Sequence, residues 1–261
     1  MSAPELPEPS FDLTGKVALV TGGSRGLGQA MVRAFARRGA DVVIASRKGE
    51  ACERLAVEVA AETGRQALGV ACHVGSWADC DRLVATAYDR FGHVDVLVNN
   101  AGMSPLYPSL AEVTEELFDK VQAVNLRGPF RLASLIGTRM AAGDGGSIIN
   151  ISSIAAVQPM PTEIPYGLAK AGLNALTIGL ARAFAPKVRV NGIMPGPFLT
   201  DISKAWDLEA FDKLAKAAIP LQRGGEAHEI VGAALYLASG ASSYTTGAIL
   251  KIDGGTAFAS A

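Results

Sequence analysis

The stretch that decides the fold reads Thr21-Gly22-Gly23-Ser24-Arg25-Gly26-Leu27-Gly28, and it joins an apolar run over residues 17–20 to a helical pattern. A strand, a glycine-rich turn and a helix in this order bring backbone N–H groups and a helix N-terminus against a phosphate. We expect Gly22 to permit the tight turn, Gly26 to let a pyrophosphate approach the backbone, and Gly28 to let the helix pack closely on the strand. The spacing is Gly-x3-Gly-x-Gly rather than G-x-G-x-x-G, so the loop alone also fits a plain turn between a strand and a helix.

Strand-like and helical segments alternate along the rest of the chain. This alternation predicts an α/β fold with a single Rossmann-like, doubly wound parallel sheet of about seven strands and helices on both faces. We expect a flexible N-terminal extension over residues 1–12 and one domain over residues 13–261, with a substrate loop at about 198–221. The predicted strands cover residues 17–21, 41–45, 66–72, 95–98, 147–151, 188–193 and 248–252, and the predicted helices cover 26–38, 49–62, 76–91, 114–142, 165–184 and 226–238.

Composition excludes several classes of function. The 261 residues are 49% hydrophobic and 19% charged, as in an ordinary globular protein with a sizeable core. A formal net charge of −1 gives no electrostatic footprint for nucleic acid or an anionic membrane. No apolar run is long enough to span a bilayer, and residues 1–10 lack the apolar centre of a signal peptide. The three cysteines form no C-x-x-C pair, so we predict reduced thiols in a cytoplasmic protein, without a disulfide framework or a metal site.

Four polar residues have types and positions suited to proton chemistry. Tyr166 and Lys170 are four apart and share a helix face, and a nearby ammonium favours the phenolate, so the pKa of the phenol should fall towards neutrality. Ser153 follows the fifth predicted strand and can hydrogen-bond the same substrate oxygen. Asn125 lies mid-helix, where a short amide either holds a water or bends the helix. Each residue alone has an ordinary structural explanation, but together at strand ends in one cleft they indicate a catalytic site.

These motifs together resemble the classical short-chain dehydrogenase/reductase family from about Leu13 to Gly255. The matching residues are Thr21-Gly22-x3-Gly26-x-Gly28, Asn99-Asn100-Ala101-Gly102, Asn125, Ser153, Tyr166-x3-Lys170, Asn191, Pro195-Gly196 and Thr200.

The resemblance implies a catalytic tetrad of Asn125, Ser153, Tyr166 and Lys170. In the family pattern Tyr166 would be the acid/base and Ser153 would orient the carbonyl. Lys170 would bind the nicotinamide ribose and tune Tyr166, and Asn125 would hold a water of a proton relay. The resemblance also implies that residues 99–102 support the sheet and the cofactor. It further implies a homotetramer built through the helices near 114–142 and 165–184 and the last strand.

The cofactor implied is NADP(H) in preference to NAD(H). After the second strand the chain reads Ser46-Arg47-Lys48, with no carboxylate to bind a bare 2′-hydroxyl, and Arg25 adds a second guanidinium suited to a phosphate. The alternative is that these residues form only a solvated basic turn. At the other end of the cofactor, the family resemblance implies that Thr200 would contact the nicotinamide carboxamide. The predicted cofactor-binding residues are Gly22, Ser24, Arg25, Gly26, Leu27, Gly28, Ser46, Arg47, His73, Val74, Asn100, Ala101, Gly102, Tyr166, Lys170, Pro195, Gly196, Phe198 and Thr200.

One position departs from the family pattern. After the third strand, members usually show an aspartate that meets the adenine amino group, whereas this chain reads Cys72-His73-Val74. His73 could hydrogen-bond adenine or simply cap the loop. A similar Cys-His-Val run occurs in the NADP-dependent carbonyl and retinal reductase branch of the family.

The predicted function is therefore an NADP(H)-dependent oxidoreductase that interconverts a ketone or aldehyde and an alcohol, acting on a small molecule. The alternatives are a 3-oxoacyl-[acyl-carrier-protein] or acyl-CoA reductase, a sugar-acid or polyol dehydrogenase, and an NADPH-binding regulator without catalysis. Arg127, Arg131 and Lys187 could form a carrier-protein docking face or be scattered surface charge. An apolar substrate pocket, or simple packing of lid helices, would explain Pro105, Leu106, Tyr107, Met160, Trp206, Leu208 and Phe211.

Overall fold

The computed structural model describes residues 10–200 and 207–257. Predictions for residues 1–9 and for Trp206 lie outside this part of the chain. The strands are β1 (Val17–Thr21), β2 (Asp41–Ser46), β3 (Ala67–Ala71), β4 (Val96–Asn99), β5 (Gly146–Ile151), β6 (Val188–Pro195), β7 (Phe198–Leu199), β8 (Gly225–Glu226) and β9 (Ile249–Ile252).

Seven of these strands form one parallel sheet in the order β3-β2-β1-β4-β5-β6-β9, which confirms the predicted architecture. The order reverses direction between β1 and β4. In open α/β sheets, ligands bind in the crevice that this reversal opens at the carboxyl ends of the strands. The glycine-rich loop follows β1 and residues 100–102 follow β4, so both lie at this crevice.

Helices cover both faces of the sheet. Successive strand residues point to opposite faces, and both faces carry apolar side chains that need covering. In β1, Ala18 and Val20 belong to one buried apolar cluster, and Val17 and Leu19 belong to the other. The helices are α1 (Gly26–Arg37), α2 (Gly49–Thr63), α3 (Trp77–Phe91), α4 (Glu115–Gln122), α5 (Gly128–Ala142), α6 (Ile164–Ala183), α7 (Leu208–Ala218) and α8 (Val231–Ala238). The first cluster includes residues of α1, α2 and α8, and the second includes residues of α3 and α5.

Polar caps and glycines set the helix ends. The Ser76 hydroxyl accepts the N–H of Asp79 at 3.2 Å at the start of α3, and Gly92 ends that helix with a φ of 78°. Thr114 caps α4 in the same way, accepting the N–H of Leu117 at 3.1 Å.

The single helix predicted over residues 114–142 is wrong. A π-helical segment, Ala123–Arg127, separates α4 from α5. The cause lies in Asn125, whose amide bonds backbone groups inside and outside the helix. The predicted helix from residue 226 also begins as a 3₁₀ turn, Ala227–Ile230, before α8.

Candidate active site

The glycine-rich loop is a close-packed cradle between β1 and α1. Gly22 has a φ of 62° and Gly26 a φ of 54°, in the left-handed region that favours glycine. A Cβ on Gly28 would lie 2.3 Å from the carbonyl oxygen of Gly22, so a side chain there would force the helix away from the loop. The first turn of α1 holds no acidic residue, and its N-cap residue, Arg25, makes no side-chain capping bond. The loop therefore fits the phosphates of a dinucleotide.

Two polar side chains brace this loop against the end of β4. Thr21 Oγ1 accepts the N–H groups of Asn100 and Ala101 at 3.0 and 3.1 Å. Asn100 Nδ2 donates to the carbonyl oxygens of Thr21 and Gly22 at 2.9 and 3.2 Å. The side chain of Leu27 packs against the apolar core. These contacts fix the loop relative to the residues that follow β4.

A basic cluster lies beside the loop at the end of β2. The Ser24 hydroxyl donates to the Ser46 hydroxyl at 3.0 Å, which joins the glycine-rich loop to β2. Ser46 Oγ also lies 3.0 Å from the buried thiol of Cys52. Arg25 and Arg47 are exposed, and within the described residues neither guanidinium is paired with a carboxylate. Positive charge is thus concentrated here without a neutralising acid.

His73 caps the loop after β3, one of the two roles predicted for it. Its Nδ1 accepts the N–H of Gly75 at 3.1 Å, and its own backbone N–H donates to Asp79 at 2.9 Å. Because Nδ1 is an acceptor, the neutral ring carries its proton on Nε2. The next residue, Val74, is buried, and its carbonyl oxygen accepts a bond from the Cys80 thiol at 3.3 Å. A bond from His73 to adenine stays a prediction.

Asn125 is fully buried in the π-helical segment, and its predicted role of distorting the helix corresponds to this interruption of the α-helix. Its Nδ2 donates to the carbonyl oxygen of Val121 at 2.9 Å and to that of Met103 at 2.8 Å. A π-bulge of this kind is frequent at functional sites. Its other predicted role, holding a water, stays a prediction.

The remaining three residues of the predicted tetrad meet around the start of α6. Lys170 Nζ donates to the carbonyl oxygen of Ile151 at 2.7 Å and lies 5.6 Å from the centroid of the Tyr166 ring. The Ser153 side chain lies close enough to the Tyr166 phenol to lower the pKa of that phenol. A Cβ placed on Gly102 would lie 3.0 Å from Asn125 Oδ1 and 3.7 Å from Lys170 Nζ, so these two side chains border one space next to Tyr166.

Burial dominates the proton chemistry of this space. It raises the pKa of Tyr166 to about 12, against a smaller lowering by the hydrogen bond with Ser153. Burial also lowers the pKa of Lys170 to about 7. The prediction that the ammonium would lower the pKa of Tyr166 is therefore wrong in this structure. Tyr166 is only partly exposed to water, which disfavours the phenolate, and a lysine with this pKa is only partly charged at neutral pH. Tyr166 accordingly keeps its proton there and can donate it.

The segment after β6 closes the crevice from the other side. β6 ends at Pro195, and the N–H of Gly196 donates to the end of β9 at 3.0 Å. Phe198 is buried in the short strand β7. The Thr200 Cβ lies 3.5 Å from the point where a Cβ on Gly26 would stand, so Thr200 adjoins the glycine-rich loop.

Three basic side chains considered for a docking face are all engaged within the chain. Arg131 forms an ion pair with Asp81 at 2.6 Å. Arg127 and Lys187 donate to backbone carbonyl oxygens, each at 2.9 Å. These contacts favour ordinary surface charge over a dedicated docking face.

One side chain makes polar contacts that the sequence pattern did not predict. Tyr107 was predicted to line an apolar pocket or to pack lid helices, but its phenol donates to the carbonyl oxygen of Pro161 at 2.8 Å and accepts the N–H of Ile164 at 2.9 Å. These partners are more than fifty positions away in the chain, and no local pattern signals the pairing.

The described part of the chain offers neither a membrane span nor a metal-binding cluster. None of the helices there has both the length and the apolar character needed to cross a membrane. The same residues contain no group of three or more His, Cys, Asp or Glu side chains placed to hold a metal ion.

Comparison with known proteins adds independent observations. Residues 22–257 match the family model described as Enoyl-(Acyl carrier protein) reductase. Dehydrogenase/reductase SDR family member 4 of Bos taurus is 40% identical over 246 residues, which cover 94% of this chain and 88% of the bovine protein.

Solved structures show the same fold. An NADPH-dependent 3-quinuclidinone reductase from Rhodotorula rubra superposes with a TM-score of 0.91 at 31% identity, covering 99% of this chain and 98% of the other. A short-chain type dehydrogenase/reductase from Mycobacterium marinum gives a TM-score of 0.89 at 34% identity, covering 95% and 98% of the two chains.

Proposed function

Because this chain belongs to the short-chain dehydrogenase/reductase family, we propose that it is an NADP(H)-dependent oxidoreductase that interconverts a ketone or aldehyde and an alcohol. The observation that carries the proposal is the convergence of Asn125, Tyr166 and Lys170, with Lys170 Nζ 5.6 Å from the Tyr166 ring centroid and both Nζ and Asn125 Oδ1 beside Gly102. Burial there raises the pKa of Tyr166 to about 12. A phenol that keeps its proton at neutral pH can donate it to a carbonyl oxygen as negative charge develops there. This proton chemistry suits the reductive direction.

The residues around the phenol have complementary roles in the proposal. Bound NADP(H) would supply or accept the hydride. Ser153 orients the carbonyl oxygen towards the Tyr166 hydroxyl, which donates the proton. Lys170 would contact the nicotinamide ribose and would pass protons towards Tyr166, for which a pKa of about 7 is well suited. Asn125 fixes the backbone that borders this space and holds the relay water.

The proposed preference for NADP(H) rests on the basic cluster at the end of β2. Arg25 and Arg47 offer guanidinium groups for the 2′-phosphate, and no carboxylate stands at Ser46, Arg47 or Lys48 to accept a bare ribose hydroxyl. The similarity to an NADPH-dependent reductase supports the same choice. His73 and Val74 would flank the adenine.

We propose a lipophilic carbonyl compound as the substrate. The loops on either side of the site expose apolar side chains: Leu106 is 83% exposed, Met160 61% and Val157 41%. Such a rim suits an apolar substrate better than a sugar acid, whose carboxylate and hydroxyl groups need polar partners. The engagement of Arg131 with Asp81 gives no support to a carrier-protein substrate.

The test is a panel of aryl and alkyl ketones, a sugar ketone and a 3-oxoacyl thioester, followed by the loss of NADPH absorbance. Tyr166→Phe should lower turnover by about 10²–10⁴-fold while NADPH binding is retained. Turnover of the thioester alone would favour the acyl reductase. Tight NADPH binding without turnover of any compound would make the protein a cofactor-binding regulator and overturn the proposal.

We further propose a homotetramer in the reducing cytoplasm. The cysteines at positions 52, 72 and 80 are free, buried thiols, which fits that compartment. An exposed apolar groove between α4, α5 and α6 supports docking of a second copy. Its cavity volume is 470 Å³, and it is lined by Gln122, Leu126, Arg127, Phe130, Gly172 and Leu176. Light scattering should give four times the chain mass, and a monomer would refute the assembly.

A further inference from the structure

The start of α6 is capped from a distant loop rather than by its own sequence. The residue before the helix, Glu163, makes no side-chain capping bond to the first turn, and its carboxylate instead accepts the N–H of Met160 at 3.2 Å. The first N–H of the helix, that of Ile164, is accepted by the Tyr107 hydroxyl at 2.9 Å. The next residue, Pro165, has no N–H to offer.

The same hydroxyl also fixes the segment that leads into α6. Tyr107 donates its proton to the carbonyl oxygen of Pro161 at 2.8 Å. The phenol oxygen therefore bridges two backbone groups, one on each side of Glu163. A side chain that satisfies a donor and an acceptor at once holds both in a defined geometry.

The loop that carries Tyr107 is itself held at its other end. Met103 exchanges two hydrogen bonds with the side chain of Asn125, at 2.8 and 3.2 Å. Residues 103–107 thus connect Asn125 to the first turn of α6. Tyr166 lies in that turn, only two residues after Ile164.

We propose that Tyr107 is a positioning residue for proton transfer, because its hydroxyl fixes the first turn of α6 and with it the Tyr166 phenol. The proposal rests on the proposed function, in which Tyr166 is the proton donor. Displacement of a reacting group by about 1 Å is enough to cost up to 10²-fold in rate. Tyr107 itself need not touch the substrate.

The test compares Tyr107→Phe with Tyr236→Phe, which loses a similar hydrogen bond, to Thr245 at 2.7 Å, away from α6. Removing the Tyr107 hydroxyl should lower kcat about tenfold, leaving NADPH affinity and the melting temperature close to the control. Amide hydrogen exchange at Ile164 should become about tenfold faster in Tyr107→Phe only. A lower kcat with unchanged NADPH affinity and melting temperature would distinguish a positioning role of Tyr107 from a general loss of stability.

Each outcome decides the proposal. Unchanged exchange at Ile164, or faster exchange with unchanged kcat, overturns it. If wild-type protein reduces no carbonyl compound, the proposed function fails, and exchange at Ile164 still decides whether the Tyr107 hydroxyl fixes α6. In that case faster exchange supports the fixing of the helix and unchanged exchange refutes it.

Discussion

The side chain of Asn125 hydrogen-bonds both backbone groups of Met103: Nδ2 donates to the carbonyl oxygen at 2.8 Å, and Oδ1 accepts the N–H at 3.2 Å. An amide matches this donor and acceptor pair, whereas an ionised carboxylate of the same size can only accept. A third bond, from Nδ2 to Val121, ties the same side chain to α4. The loop after β4 and the interrupted helix therefore share one buried residue.

Asn125→Ala should lower both stability and activity. The change leaves the part-buried backbone groups of Met103 without their side-chain partners, which costs about 1–3 kcal/mol. For a chain of this size, each kcal/mol lowers the melting temperature by roughly 2–4 °C. Calorimetry and steady-state turnover measure the two effects.

Asn174→Ala is the matched control. Its Oδ1 is buried and has no hydrogen-bond partner within the described residues, so the alanine should cost less there. Equal losses of stability in the two variants would mean that the bonds of Asn125 to Met103 contribute little.

The same residue shows how far the sequence could go. A capping threonine at Thr114 and an acidic first turn predicted the helical region over residues 114–142, and the mid-helix amide of Asn125 indicated either a held water or a bend. What could not be predicted was a π-helical segment, because its partner, Met103, lies on a loop 22 positions away. The bend depends on a tertiary contact, which no helical window contains.

The prediction for the pKa of Tyr166 failed for a related reason. The spacing of Tyr166 and Lys170 is local and was predicted correctly, as was their proximity. The direction of the Tyr166 pKa was wrong, because it depends on how much water the folded protein removes from the phenol. Burial is a property of the whole fold, and two residue identities do not determine it.

Lys170→Met should make stability less dependent on pH. In the folded chain, burial lowers the pKa of Lys170 from 10.5 to about 7, so the unfolded chain binds a proton that the folded chain has released between these pH values. Stability from this residue therefore rises with pH across this window, by roughly 1.4 kcal/mol for each unit of pKa difference. Below pH 7 both states carry the charge, and its burial costs the most.

The measurement is urea unfolding of wild type and Lys170→Met from pH 6 to pH 10. The variant lacks the buried charge, so its advantage over wild type should be largest at or below about pH 7 and shrink towards pH 10. Lys187→Met, at an exposed lysine, serves as the control and should show no such trend. A difference between wild type and Lys170→Met that is constant with pH would show that Lys170 is not buried as a titrating group.

Arg47→Ala should weaken NADPH and leave NADH almost unchanged. Arg47 is exposed, lies directly after β2 and is not paired with a carboxylate within the described residues, so its charge is free for a phosphate. A hydrogen bond to a charged group contributes about 1.5–3 kcal/mol, which is roughly a ten- to hundredfold change in affinity. NADH has no 2′-phosphate to lose, and Ser46→Asp should shift the preference further towards NADH by repelling the 2′-phosphate of NADPH.

The readout is kcat/KM for both cofactors at fixed ionic strength, because salt screens an exposed contact. Arg38→Ala is the control. It removes an equal charge at the C-terminal end of α1, about 18 Å along the helix from the glycine-rich loop, and should leave the ratio of kcat/KM for the two cofactors unchanged. If Arg47→Ala weakens both cofactors equally, or if wild type prefers NADH, the basic cluster is a solvated turn and the preference for NADP(H) is refuted.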